Sequence, residues 1–187
     1  MNAASPAVRA SIWAGVILLI GAIAAVLIFK NGMVRVAEVR QPRSSGKVMV
    51  GGALPDLALR SLTGSTIGLR AYTGHPVWVN FFATWCEPCT AELPQIEQRY
   101  KSLKADGLVV YGVDQQEQAI AVKSFTAHYR VTYPIAIDPG SAALAFNIHT
   151  IPLSVFVDST GIVRYISIGQ MQPAEMDEAL RTILPSS

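Results

Sequence analysis

The feature that most constrains this chain is a junction. A continuous apolar run, Val77-Trp78-Val79-Asn80-Phe81-Phe82, leads into Thr84-Trp85-Cys86-Glu87-Pro88-Cys89. An apolar run of this length, without polar alternation, predicts a strand buried on both faces. Leu93, Ile96, Tyr100 and Leu103 lie near helical spacing and predict a helix over 87–104. Pro88 suits a first helical turn, and Pro94 predicts a kink. The only two cysteines of the 187 residues therefore sit where a central strand ends and a helix begins.

What can such a pair do? Two cysteines are too few for a disulfide-stapled scaffold. A structural zinc site usually takes four ligands, and His75, His128 and His149 are scattered. A bridge between Cys86 and Cys89 closes a very small loop, so it is a poor staple. That leaves reactivity as the main use. A helix N-terminus offers free N–H groups and partial positive charge, which favour a thiolate at Cys86. Cys89 then falls on the first helical turn, in reach to resolve a mixed disulfide. Glu87 works against the helix dipole and disfavours the thiolate, which predicts a more reducing pair.

The rest of the chain supplies a scaffold for this junction. A short strand is expected over 66–69, a second buried strand over 108–113 and an extended piece over 134–138. A helix over 116–129 is expected to turn Ile120, Phe125 and Tyr129 inward, and a short helix covers 142–146. Runs over 153–157 and 162–168 flank Asp158-Ser159-Thr160-Gly161, a hairpin signature. Pro173 starts a last helix to 184, with Glu175, Asp177 and Glu178 in its early turns. This order predicts an α/β fold, a mixed sheet with helices on both faces.

The N-terminal part is different. Residues 10–29, ASIWAGVILLIGAIAAVLIF, carry no charge, and as a helix they span roughly 30 Å, about the hydrocarbon thickness of a bilayer. Ala22-Ile23-Ala24 has the small-residue spacing of a cleavage site, but Val26-Leu27-Ile28-Phe29 continue the apolar run, so an uncleaved anchor is expected. Residues 1–9 are then a short tail, 30–52 a Gly- and Pro-bearing linker, and 53–187 the folded domain. Charge is split between these parts: six Lys/Arg against one acid before Ala53, nine against twelve from Ala53 onward. A mildly acidic domain is no nucleic-acid footprint. By the positive-inside count alone, the basic linker favours a cytoplasmic domain, but large domains translocate largely regardless of charge.

The segment Asn80-Phe81-Phe82-Ala83-Thr84-Trp85-Cys86-Glu87-Pro88-Cys89-Thr90-Ala91-Glu92-Leu93-Pro94 resembles the active-site segment of the thioredoxin superfamily. Within it, the likeness is to the membrane-anchored TlpA, ResA and CcmG-type proteins, over about residues 54–184. Asn80 stands where thioredoxin carries a buried Asp. Glu92 matches a carboxylate that ResA-like proteins keep near the dithiol. Thr150-Ile151-Pro152 falls where the superfamily places its cis-proline loop, and Gly169 fits the end of the hairpin. Leu153-Ser154 departs from the usual polar pair after the proline and is read as a more apolar wall beside the substrate.

The resemblance implies a thioredoxin-like fold, a central mixed β-sheet flanked by helices and preceded by one transmembrane helix. It implies a thiol–disulfide oxidoreductase with Cys86 as nucleophile, Cys89 as resolving thiol and Glu92 in proton transfer. Trp85, Glu87, Pro88, Ile151 and Pro152 are the expected substrate contacts, and His149 is read as a surface imidazole. No cofactor and no metal are expected. The implied partners are a client disulfide, apocytochrome c first, and a membrane electron donor of CcdA or DsbD type. The implied place is the outer face of the cell membrane. Reduction of copper-site cysteines or of disulfides in general uses the same chemistry. A CxxC metal carrier is the reading from a different class. A peroxidase usually places its attacking cysteine without a paired CxxC.

Overall fold

The computed structural model describes residues 48–185, so the expected anchor over 10–29 and most of the linker lie outside the described residues. Among the described residues no helix is long and apolar enough to cross a membrane.

The apolar run at Val77–Phe82 (β3) is buried at every position. It pairs in parallel with Val109–Gln115 (β4) and antiparallel with Leu153–Val157 (β6), so no polar alternation is needed on it. Outside these lie Ile135–Asp138 (β5), parallel to β4, and Val163–Ile168 (β7), antiparallel to β6. Ala58–Ser61 (β1) and Thr66–Gly68 (β2) complete a seven-stranded mixed sheet, ordered β2-β1-β5-β4-β3-β6-β7. Gly112 on β4 has no room for a side chain: a Cβ there would stand 2.5 Å from Ile135 Cδ1 and 3.3 Å from Phe82 Cε1.

Four helices cover the sheet: Glu87–Leu103 (α1), Ala119–His128 (α2), Ser141–Ala145 (α3) and Pro173–Arg181 (α4). The crossovers β3–α1–β4 and β4–α2–β5 step the same way along the sheet and share a hand, which puts α1 and α2 on one face. There Leu93 and Ile96 of α1, Val122 of α2 and Met176 and Leu180 of α4 pack on Trp78, Phe82, Val110 and Phe156. The connection from β5 to β6 steps the other way. It brings Ala142 of α3 and Phe146 to the opposite face, with Leu59, Leu69, Val79, Phe81 and Val155.

Several local expectations are corrected. In α2 the buried side chains are Val122 and Thr126, with Phe125 stacked on Phe82, while Ile120 is 69% exposed. Residues 122, 125 and 126 form the i, i+3, i+4 stripe that a helix can bury together, whereas 120, 125 and 129 drift around it. Apart from these corrections, α1 runs unbroken through Pro94, which lies on its exposed side, where water can take the carbonyl it leaves free. β1 was not expected, because Ala-Leu-Arg-Ser shows no pattern of its own and is held by pairing with β2 and β5.

Candidate active site

Strand β3 delivers the chain to Cys86, which is the N-cap of α1. Its Sγ accepts a hydrogen bond from the backbone N–H of Cys89 at 3.2 Å, one of the free donors of the first turn. That donor, with the helix dipole, stabilises charge on Cys86 rather than on Cys89. The two cysteines form a disulfide with their Cα atoms 5.2 Å apart. In this oxidised form Cys86 is 5% exposed and Cys89 2%. Trp85 stands 72% exposed immediately before it, and Glu87 and Pro88 are exposed beside it. An indole left in water at this position is not core packing.

Glu92 follows Cys89 by three residues, so it falls on the same face of α1 and points into the core. It is 2% exposed. Its Oε1 accepts the backbone N–H of Met171, and its Oε2 has no hydrogen-bond partner. Burial pushes its carboxyl up to about 7; the Met171 N–H opposes this, Glu175 adds to it, and Asn80 favours the charged form. Asn80 Nδ2 also donates to Ser154 Oγ at 3.2 Å, and Glu92 Oε2 is left without a hydrogen bond. A carboxyl on the dithiol's face of the helix that titrates near neutrality is suited to take or return a proton.

The Ile151–Pro152 peptide is cis. Pro152 is buried, and Ile151 packs against the core cluster that contains Cys86, Cys89 and Met171. The N–H of Gly169 donates to the Pro152 carbonyl at 2.8 Å, and Gly169 has the left-handed φ of 95° that glycine tolerates. One strand end, residues 169–171, thus ties down both the proline loop and Glu92. Thr150 and His149 are exposed.

Leu153 is not a wall of the site. It pairs with Phe81 and faces the opposite core, because alternation along β6 turns it away from Cys86. Ser154 has the inward role instead, its Oγ accepting from Trp78 Nε1 at 2.9 Å as well as from Asn80. Sequence reasoning also missed Glu117. Its carboxylate receives both the N–H and the Oγ1 hydroxyl of Thr84, each at 2.6 Å. Nothing in Gly112-Val113-Asp114-Gln115-Gln116-Glu117 signals this, since the contact spans 33 residues. Among the described residues no group of three His, Cys, Asp or Glu side chains converges as a ligand set.

Thiol–disulfide exchange is the chemistry that this strand, dithiol and helix serve, and the mixed sheet around them is of the thioredoxin-like class. The chain belongs to the AhpC/TSA family, whose profile matches residues 50–166. It is 31% identical over 140 residues to thiol-disulfide oxidoreductase ResA of Bacillus cereus, covering 74% of this chain and 81% of ResA. It is 33% identical over 139 residues to ResA of Geobacillus kaustophilus, covering 74% and 80%. A crystal structure of a thiol:disulfide interchange protein of the thioredoxin family from Chlorobium tepidum superposes with a TM-score of 0.66 at 27% identity, covering 73% of this chain and 99% of that one. The protein is therefore a thiol–disulfide oxidoreductase of ResA-like type.

Proposed function

We propose that this protein is a membrane-tethered reductase that works outside the cytoplasm and gives electrons to disulfides of client proteins, apocytochrome c before haem attachment first among them. The observation that carries the reductive direction is Glu92, fully buried, with one carboxylate oxygen unpartnered. An acid group on the dithiol's face of α1 disfavours a second negative charge, and Glu87 opposes the helix dipole at its start. Strong oxidants of this class owe their potential to a stabilised reduced form. A dithiol whose helix-stabilised thiolate is opposed by neighbouring acids lies further toward the reducing end of that scale.

Cys86 thiolate attacks one sulfur of the client disulfide, and the client's other sulfur leaves as a thiolate that takes a proton. Cys89 loses its proton to Glu92 and attacks Cys86 Sγ, which restores the internal disulfide. The client's second sulfur departs and is protonated in turn. The client gains two electrons and the Cys86/Cys89 pair loses them. A transmembrane carrier of CcdA or DsbD type restores the dithiol. Trp85, Glu87 and Pro88 meet the client from the helix side, Ile151 and Pro152 from the loop side. Residues 10–29 hold the domain at the membrane.

Trapping tests the reading. With Cys89→Ser, the mixed disulfide on Cys86 has no resolving thiol and accumulates. Recovery of an apocytochrome c in that adduct is the expected result. Recovery of a copper-site protein alone, or of many unrelated proteins, replaces the client with a copper-site dithiol or with disulfides at large.

A further inference from the structure

The segment that carries Trp85 and Cys86 is held from behind by a second carboxyl group. β4 ends at Gln115, and Gln116 takes a left-handed φ of 65° that turns the chain sharply. Glu117 thereby swings back toward the end of β3, where it accepts both hydrogen bonds that Thr84 can donate. Thr84 is the residue before Trp85. Beneath Glu117 lies Asp114, which is fully buried and accepts the Glu117 N–H on Oδ2 at 2.9 Å. Its other oxygen, Oδ1, has no donor. A buried carboxylate with an empty oxygen beside a second carboxylate is costly. One proton between the two groups removes the cost, since a carboxylate keeps lone pairs free beyond those Thr84 uses.

We propose that Glu117 is a positioning residue for disulfide exchange, holding the Thr84–Trp85 segment through a hydrogen-bonded carboxyl pair with Asp114 that contains a single proton. When the proton is present, Asp114 donates to Glu117 and Glu117 keeps both Thr84 bonds. When it leaves, two carboxylates face each other, Glu117 is pushed off, and the segment before Cys86 loosens. Burial pushes Asp114 up to about 7, with Glu117 and then Asp138 adding to the shift. Against its own partial burial, Glu117 is held below the usual range by Asp114 and Thr84. Asp138, at the end of β5, is committed elsewhere: it accepts from Gly140, Ser141, Ala142 and Ala143 at the start of α3. Lys123 and His128, the basic groups of α2, are exposed, and no Lys, Arg or His among the described residues pairs with any of these three acids. The inference needs only the exchange activity and not the identity of the client.

The test uses the full chain in detergent, reduced, with 5,5′-dithiobis(2-nitrobenzoate) as a model disulfide. The attack rate of Cys86 is followed from pH 6 to 8.5 and divided by its thiolate fraction, read independently from absorbance near 240 nm. The rate per thiolate is expected to fall several-fold across this range. Asp114→Asn offers Glu117 an N–H donor at every pH, so it is expected to carry the pH 6 value through to pH 8.5. Glu117→Ala is expected to sit at the low value throughout, and Thr84→Val, which removes only the hydroxyl donor, to fall between. An unchanged pH dependence in Asp114→Asn overturns the proposal, as does a wild-type rate per thiolate in Glu117→Ala. If Glu117→Ala does not fold, Thr84→Val and Asp114→Asn decide it. A failure here leaves the trapped client unaffected, and a different client leaves this pH profile unaffected.

Discussion

Glu92 and Asp114 are acidic side chains folded away from water without cations, and each stands well above its ordinary value. Folding therefore favours their protonated forms. The stability that Glu92 contributes is complete below its ordinary value of 4.5, and it is lost as the pH rises through about 7. Glu92→Gln is expected to flatten the stability of the oxidised protein over that window, measured by urea unfolding at a series of pH values. A residual slope belongs to Asp114, and Glu92→Gln combined with Asp114→Asn is expected to remove it. The same Glu92→Gln change is expected to erase an inflection near pH 7 in the redox equilibrium with a small dithiol. An inflection that persists takes the proton-transfer role away from Glu92.

The elements are joined by a second strap of the kind that Glu117 forms. Glu97, on the buried side of α1, accepts from Thr132 N at 2.9 Å and Thr132 Oγ1 at 2.5 Å, and meets Lys101 at 2.9 Å. It fastens the active-site helix to the turn that enters β5. Glu97→Ala removes two hydrogen bonds to a charged acceptor and is expected to cost about 2 kcal/mol. Denaturant unfolding checks this, and the folded fraction is expected to keep its exchange rate with a model disulfide. A loss below about 0.5 kcal/mol would make the strap ornamental. At this scale the sequence was legible where apolar residues run or repeat. β3, α1 and the hairpin stand where they were expected, because their patterns bury large side chains whatever surrounds them. The inward face of α2 and the direction of Leu153 were not, since helix register and strand alternation are settled by the partner each element meets.

For the whole molecule, the proposed membrane tether makes two predictions, of attachment and of the side on which the domain lies. The linker's Lys and Arg count and the proposed function point opposite ways. A reporter fused to the C-terminus is expected to act outside the cytoplasm, and activity inside it reverses the proposed location. The full chain is expected to remain with membranes after a high-salt wash, because burial of the apolar segment 10–29 is insensitive to salt, whereas release by salt points to a peripheral attachment.

By itself the sequence determined the reactive unit: a strand, a dithiol two residues apart and a helix to stabilise one of its thiolates. All of that is local, encoded in the one contiguous stretch 77–103. The surroundings of the dithiol were decided only by tertiary structure. Met171 reaches Glu92 across 79 residues and Glu117 reaches Thr84 across 33. Ser154 is joined to Asn80 across 74. A backbone N–H or a carboxylate leaves no periodicity in a sequence, and its partner is set by which strand ends the sheet brings together.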